Sequence, residues 1–332
     1  MTAAPASLGR QKGTWWAGHQ RSAYALRRSA RLAVSLVLLL TATFFMIHLI
    51  PGDPVRASLG PTAPASLVAE RKAALGLDKP LPTQYFDYVR NVLHGDFGTS
   101  LTSGESVTEV IQQRGPSTLK LGGIAFLIAI SIAVPLGVLM AALTRDSRRR
   151  GMELGFTATT GAIASIPSFL IAIALVYLFA VTIRIFPVAG SGGFSAYVLP
   201  VAALALAPIA SLSRIVRVEG LRVLDQDYIR TARGKRLPAR LVYVRHALPN
   251  TLTPTLTLAG LLLGGLLAGT VLVENIFAWP GLGTTLVQSV VQKDYPTVQA
   301  VAVVFGAVVL LANFAVDLAL GFIDPRSTIL DS

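Results

Sequence analysis

Four histidines, at positions 19, 48, 94 and 246, are the whole imidazole complement of the 332-residue chain, which contains no cysteine. A zinc cluster, a disulfide framework or a catalytic thiol therefore has nothing to draw on. A phosphate-binding loop fails as well. Gly234-Lys235 is followed by Arg236, and Ile229 stands where the first glycine of that loop belongs. No G-x-S-x-G or H-E-x-x-H string occurs. What remains is a polar pair in apolar surroundings and one charged run. Asn313 and Asp317 are four apart, on one helix face, and a carboxylate at membrane depth marks a functional position by default. Asp317 lies only about 9 Å from the end of its apolar stretch, at 1.5 Å per helical residue. That position favours pairing with a loop arginine over a proton relay. The run from Asp225 to Arg236 passes from carboxylates to cations, the order a helix dipole favours, with the carboxylates as helix caps.

These groups sit in a chain that is 53% hydrophobic and 14% charged, where a soluble protein carries about 25% charged residues. The net charge of +12 does not indicate nucleic-acid binding, because long uncharged runs separate the cations. Soluble enzyme, disordered tail and secreted mini-domain are excluded. Apolar stretches long enough to cross a bilayer core of about 30 Å run over 32–50, 121–143, 156–183, 251–273 and 298–323, with a shorter one over 197–210. The expectation is an all-α, polytopic membrane protein with six transmembrane helices. Pro167, Pro200 and Pro208 loosen the third and fourth spans, either for a pathway that opens or as static kinks. Gly260/Gly264 and Gly265/Gly269 form two G-x-x-x-G pairs for close helix approach. They suit internal packing, a seam with a partner, or a pathway lining.

Of the 29 lysines and arginines, six lie in 1–31, four in 144–155, nine in 214–250 and one at Arg326. This asymmetry places both termini in the cytoplasm. Residues 1–30 form a cytoplasmic basic N-terminal arm without structure of its own. Its Arg27, Arg28 and Arg31 set topology or touch anionic lipid. The apolar run of 19 residues after it exceeds the roughly 7–15 of a signal peptide, so cleavage is not expected. Residues 31–328 form the membrane domain, with an extracytoplasmic segment at 51–116. There Leu81, Tyr85, Tyr88, Val89 and Val92 line one helix face, with Asp87, Arg90 and Asn91 opposite. That helix can lie on the membrane, pack on the spans or meet a partner. In the cytoplasmic segment 214–250, a first helix ends ahead of Leu237-Pro238, and a second covers 239–247 before the fifth span.

Eight strings across residues 30–328 carry a family likeness: HLIPGDP (48–54), LGLDKPLPTQY (75–85), HGDFGTSL (94–101), IPSF (166–169), DYIRTARGK (227–235), RHALPN (245–250), ENIFAWPGLG (274–283) and FIDPR (322–326). In this order the chain resembles the permease subunits, B-type, of oligopeptide/dipeptide/nickel ATP-binding-cassette importers. The resemblance implies a type I importer permease fold in a bacterial plasma membrane and no enzymatic activity of the chain's own. It implies a second homologous permease subunit, two ATP-binding-cassette subunits, and an extracytoplasmic substrate-binding protein as partners. It implies that this chain binds no cofactor, with ATP and Mg on the partner subunits. It also implies a coupling loop. The family's EAA positions fall on Arg230, Thr231 and Ala232, its glycine on Arg236, and its L-P on Leu248-Pro249. Asp227, Tyr228 and Gly234 belong to the same segment, where small Ala232 and Gly234 suit close approach by an ATPase. Arg236 must take a left-handed conformation at about 1–2 kcal/mol, or the chain bends otherwise because Pro238 already breaks the helix.

Two other classes compete with this one. An ion-gradient-driven secondary transporter needs charges near midspan and an internal repeat; only Asp317 qualifies, off-centre. An intramembrane enzyme needs a polar cluster at depth, and the second to fifth apolar stretches contain no acidic residue, lysine or histidine.

Overall fold

The computed structural model describes residues 11–48, 54–60, 62–74, 76–145 and 149–323. The start of the basic arm, most of the HLIPGDP string and the end of FIDPR lie outside them. The described residues are helical, and their one β-type pairing is the isolated bridge Thr99–Ser106.

Five helices are long and apolar enough to cross a membrane: α1 (Gln11–His48, apolar over Ala25–His48), α5 (Val107–Thr144), α8 (Phe194–Leu224), α11 (Leu248–Ile276) and α13 (Tyr295–Ile323). Shorter helices α2 (Pro54–Leu59), α3 (Ala65–Ala74) and α4 (Leu81–Leu93) follow α1. The expected third span is a broken element: α6 (Arg150–Ser165) and α7 (Ser168–Leu175, prolonged by a π-helical Val176–Thr182) meet at 95°. The break is dictated locally. Ile166 precedes a proline and is extended at φ −88°, ψ 123°, and the Pro167 carbonyl then accepts the first amides of α7, from Leu170 and Ile171. Six crossings hold only if this bent pair counts as one.

Other expectations shift for related reasons. The segment 11–30, read as unstructured, is helical and continuous with the first span. The fourth span runs through Pro200 and Pro208 without a break and continues to Leu224, 31 residues in all. Residues 239–247 are not a separate helix. α10 (Ala239–Leu241) passes through a wide π-helical stretch, Val242–Ala247, directly into α11. Pro249 has no N–H to close an ordinary turn on Arg245, and the wider turn absorbs that loss. α9 (Asp227–Gly234) and α12 (Leu282–Val291) complete the chain.

The densest seam joins α5 to α8. Ala125, Ala129, Ala133, Gly137 and Ala141 recur every four residues on α5 and are buried. At Gly137 the approach is to backbone: an added Cβ would lie 2.6 Å from the Ser213 carbonyl. Three of the four glycines of α11 pack internally. Gly260 and Gly264 face Val316 and Val309 of α13, and Gly269 faces Ser168 and Leu204. Gly265 alone of the four has no neighbour within 4 Å of a Cβ. The helices α1 and α13 also meet: Gly306 receives Leu39 of α1, Gln299 donates to the Thr43 carbonyl at 3.1 Å, and Asp317 pairs with Arg28 at 3.0 Å. The carboxylate thus finds its arginine on the first helix, not in a loop.

Gly137→Ala should force α5 from α8 and cost about 1–3 kcal/mol. Gly123→Ala, on the same helix with nothing within 4 Å, should stabilise by up to about 1 kcal/mol. Thermal unfolding of the purified protein in detergent, followed by intrinsic fluorescence, separates the two. Equal midpoints would show that the seam is not closed by backbone contact.

Candidate functional site: the bend between the fourth and fifth spans

α8 ends at Leu224, with Asp225 as its C-terminal cap. α9 begins two residues later and turns one face inward. Ile229 (0% exposed) and Ala232 (6%) pack with Ala141 of α5, Val223 and Leu224 of α8, and Val242 and Ala247 beyond the bend. Ala232 is therefore part of the bend's own core, where the sequence suggested a surface open to a partner. The outward face carries Asp227, Tyr228, Arg230, Thr231, Arg233 and Gly234. Gly234 has nothing within 4 Å of an added Cβ, so the close approach expected there remains available. Asp225 and Asp227 do not cap α9. Gln226 holds that position without a side-chain bond, Asp225 accepts from Arg145 at 3.1 Å, and Asp227 reaches Arg230 at 3.4 Å.

The helix stops in a closed, six-residue turn. Arg236 N–H donates to the Arg233 carbonyl at 2.8 Å and Leu237 N–H to that of Ala232 at 3.4 Å. This is the Schellman arrangement, which requires a left-handed residue between its two donors. Arg236 supplies it at φ 55° without being glycine. Its side chain is exposed, Leu237 tucks against the bend's core, and Pro238 starts α10. Leu248, half-buried, and Pro249, exposed, open α11.

One support escaped the sequence reading. Arg217, 9% exposed, donates from Nε to Thr144 Oγ1 at 3.0 Å and from Nη2 to Glu153 at 2.7 Å. It ties the ends of α5, α6 and α8 into one block beneath α9. The signal was present: Arg217 follows Ser213 and Val216 on the buried face of α8, where an arginine needs partners.

At the other end of the bundle α4 packs on α1, the plainest of its three options. Tyr85 and Tyr88 hydroxyls meet Thr41 and Thr43 Oγ1 at 2.9 and 3.0 Å. Burial raises the Tyr88 phenol above its ordinary pKa. Asp87, on the opposite face, pairs with Lys79 at 2.8 Å. Asp294, 3% exposed, accepts from Ser100 Oγ at 2.6 Å, Leu101 N–H at 2.9 Å and Thr297 Oγ1 at 2.7 Å. It fixes the 99–106 loop to the start of α13. Among the described residues no acidic, histidine or cysteine cluster could hold a metal.

Apolar helices long enough to cross a membrane, with a seated, outward-facing bend at one end, describe a membrane protein of the permease class once its relatives are considered. The chain belongs to the family of binding-protein-dependent transport system inner membrane components, whose models match residues 133–329 and, for the N-terminal part, 22–122. The sequence resemblance is borne out. Among its relatives are the glutathione transport system permease protein GsiC of Salmonella typhimurium, 37% identical over 91% of this chain and 97% of the relative, and the oligopeptide permease OppB of the same organism, 38% identical over 91% and 98%. The dipeptide permease DppB of Lactococcus lactis is 36% identical over 91% and 98%. The fold is shared with the MetNI methionine ABC transporter in inward-facing conformations, at a TM-score of 0.56 and 18% identity over 65% of this chain and 96% of that one.

Arg236→Gly should remove the left-handed cost and stabilise the protein by up to about 1 kcal/mol. Ala232→Trp should instead disrupt the bend's own core at a cost of about 1–3 kcal/mol. Thermal midpoints in detergent read both. A destabilised Arg236→Gly would mean that the arginine side chain, not the backbone, sets that turn.

Proposed function

We propose that the chain is one of two permease subunits of an ATP-driven importer of short peptides, and forms half of its translocation pathway. The likeness to glutathione, dipeptide and oligopeptide permeases over nine-tenths of the chain carries this reading. A second permease subunit pairs with it, two ATP-binding-cassette subunits supply energy, and a binding protein delivers the peptide from outside. ATP and Mg belong to the cassette subunits. The lysine and arginine asymmetry favours both termini on the cytoplasmic side, with the bend facing the ATPases.

The geometry supports a division of labour at the bend. Tyr228, Arg230, Thr231, Arg233 and Gly234 meet the ATPase. Ile229 and Ala232 seat α9 on α5 and α8, so a push on the outward face reaches two spans at once. An ion-gradient mechanism finds no comparable support, because Asp317 is engaged by Arg28.

The complex reconstituted with ATPase subunits and loaded binding protein tests this. Gly234→Trp should leave expression and pairing with the second permease intact. Docking should weaken roughly a hundredfold, for about 3 kcal/mol of overpacking, and peptide-stimulated ATP turnover should be lost. Reporters at Gly190 and Arg233 should fall on opposite sides of the membrane. Normal stimulation in Gly234→Trp would rule out this face as the coupling element.

A further inference from the structure

Glu274 lies at the last turn of α11, at the end of the bundle opposite the bend, and is 0% exposed. Its Oε2 accepts from the amides of Gly283, at 2.7 Å, and Thr284, at 3.3 Å. These are the second and third residues of α12, and the first, Leu282, donates to Thr118 Oγ1 of α5 at 2.8 Å. The capping position itself is Gly281, with no side chain to offer. The free amides of α12 are thus satisfied from two other helices, and the carboxylate sits at the positive end of its dipole.

The glycines around the carboxylate follow from it. A Cβ on Gly281 would collide with the Glu274 carboxylate, and one on Gly283 would lie 2.8 Å from Oε2 and 2.6 Å from Val271 Cα. The spacing in ENIFAWPGLG is therefore a receptor for a carboxylate. The same carboxylate is incompletely served, since Oε1 is buried without a hydrogen-bond partner among the described residues. A buried charged group is weak evidence for stability, since apolar packing of similar volume in its place is often neutral or stabilising. Its best-attested use is to specify one of two arrangements.

α12 has the features of an element with two positions. It is 10 residues long and joined to its neighbours through left-handed non-glycine residues, Ala278 at φ 46° and Lys293 at φ 59°. Val290 and Val291 at its far end are exposed. An apolar cavity of about 330 Å³, lined by Gly115, Thr118, Leu267, Leu282 and Phe305, adjoins its anchored end. α11 links this end to the bend, because it starts beside Ala247 of the bend's core and carries Glu274 in its last turn, about 39 Å away at 1.5 Å per residue.

We propose that Glu274 is a positioning residue of the transport cycle: it latches α12 across α5 and α11 in the present conformation, and releases Gly283 and Thr284 when α11 moves. This rests on the importer reading above.

The test uses the full complex in lipid nanodiscs, with ATP turnover measured with and without loaded binding protein. Wild type must show stimulation, and its absence would sink the importer reading rather than the latch. Glu274→Gln and, independently, Thr118→Val should raise turnover without binding protein about tenfold, the loss of roughly one hydrogen bond, and collapse the stimulation ratio. A purely structural role would lower the yield of complex and leave the ratio per complex unchanged, which overturns the proposal. The chain has no cysteine of its own, so a Gly115→Cys/Leu282→Cys pair joined by a short bis-methanethiosulfonate gives a second readout even where the first variants fail to assemble. Joining them should stop peptide uptake in proteoliposomes, and reductant should restore it, with each single variant unaffected. Uptake that continues through the joined pair would show that α12 need not leave α5.

Discussion

The seam between α5 and α8 is closed by backbone, and the other contacts of the bundle depend on that distance. Gly137 lets α8 come within reach of its carbonyls, and Ala141 meets Gly220 one turn further along, where an added Cβ would sit at 3.0 Å. Only at this separation does Arg217 reach Thr144, and only then does Ala141 become part of the floor under α9. Helices in a bilayer gain little from hiding apolar surface from each other, since lipid is as apolar as leucine. Close approach through small residues supplies the attraction instead, and polar groups are brought into register at the ends.

Both ends of the bundle then solve the same problem with different chemistry. At the bend, charge is matched by charge: buried Arg217 with Glu153, and half-buried Arg145 with the exposed Asp225. At the far end, buried carboxylates are matched by backbone amides and hydroxyls, Asp294 through Leu101, Ser100 and Thr297, and Glu274 through Gly283 and Thr284. Ion pairs fix the block beneath α9. Amide-bound carboxylates hold loops and a short helix, whose donors are re-satisfied more readily when they part.

The sequence carried the helical class, the long apolar runs and the family because these rest on composition and on strings of residues in order. It carried less wherever a residue's role depends on which way it faces. Ala232 is small and follows a motif, which suits a partner's approach as well as an internal core; only its neighbours Ala141 and Val242 decide for the core. The four glycines of α11 have one spacing and separate fates, Gly265 open and the other three packed. Pro167 breaks a helix where Ile166 before it is extended, whereas Pro200 and Pro208 sit inside one continuous helix packed along α5. Arg236 is a further case. The sequence left two options there, a left-handed arginine or a bend set by Pro238 alone, and the turn's hydrogen bonds decide for the left-handed residue.

The contact between α1 and α13 bears on how the protein is made. α1 finds Gly306, Gln299 and Asp317 only after the helices between it and α13 have left the ribosome. Until then Arg28 has no carboxylate from α13, and Leu39 has no glycine to receive it. Pairings between segments so remote in sequence come late in folding and leave surfaces waiting. α13 is therefore the helix that fastens α1, and a chain stopped before residue 295 would lack that clasp.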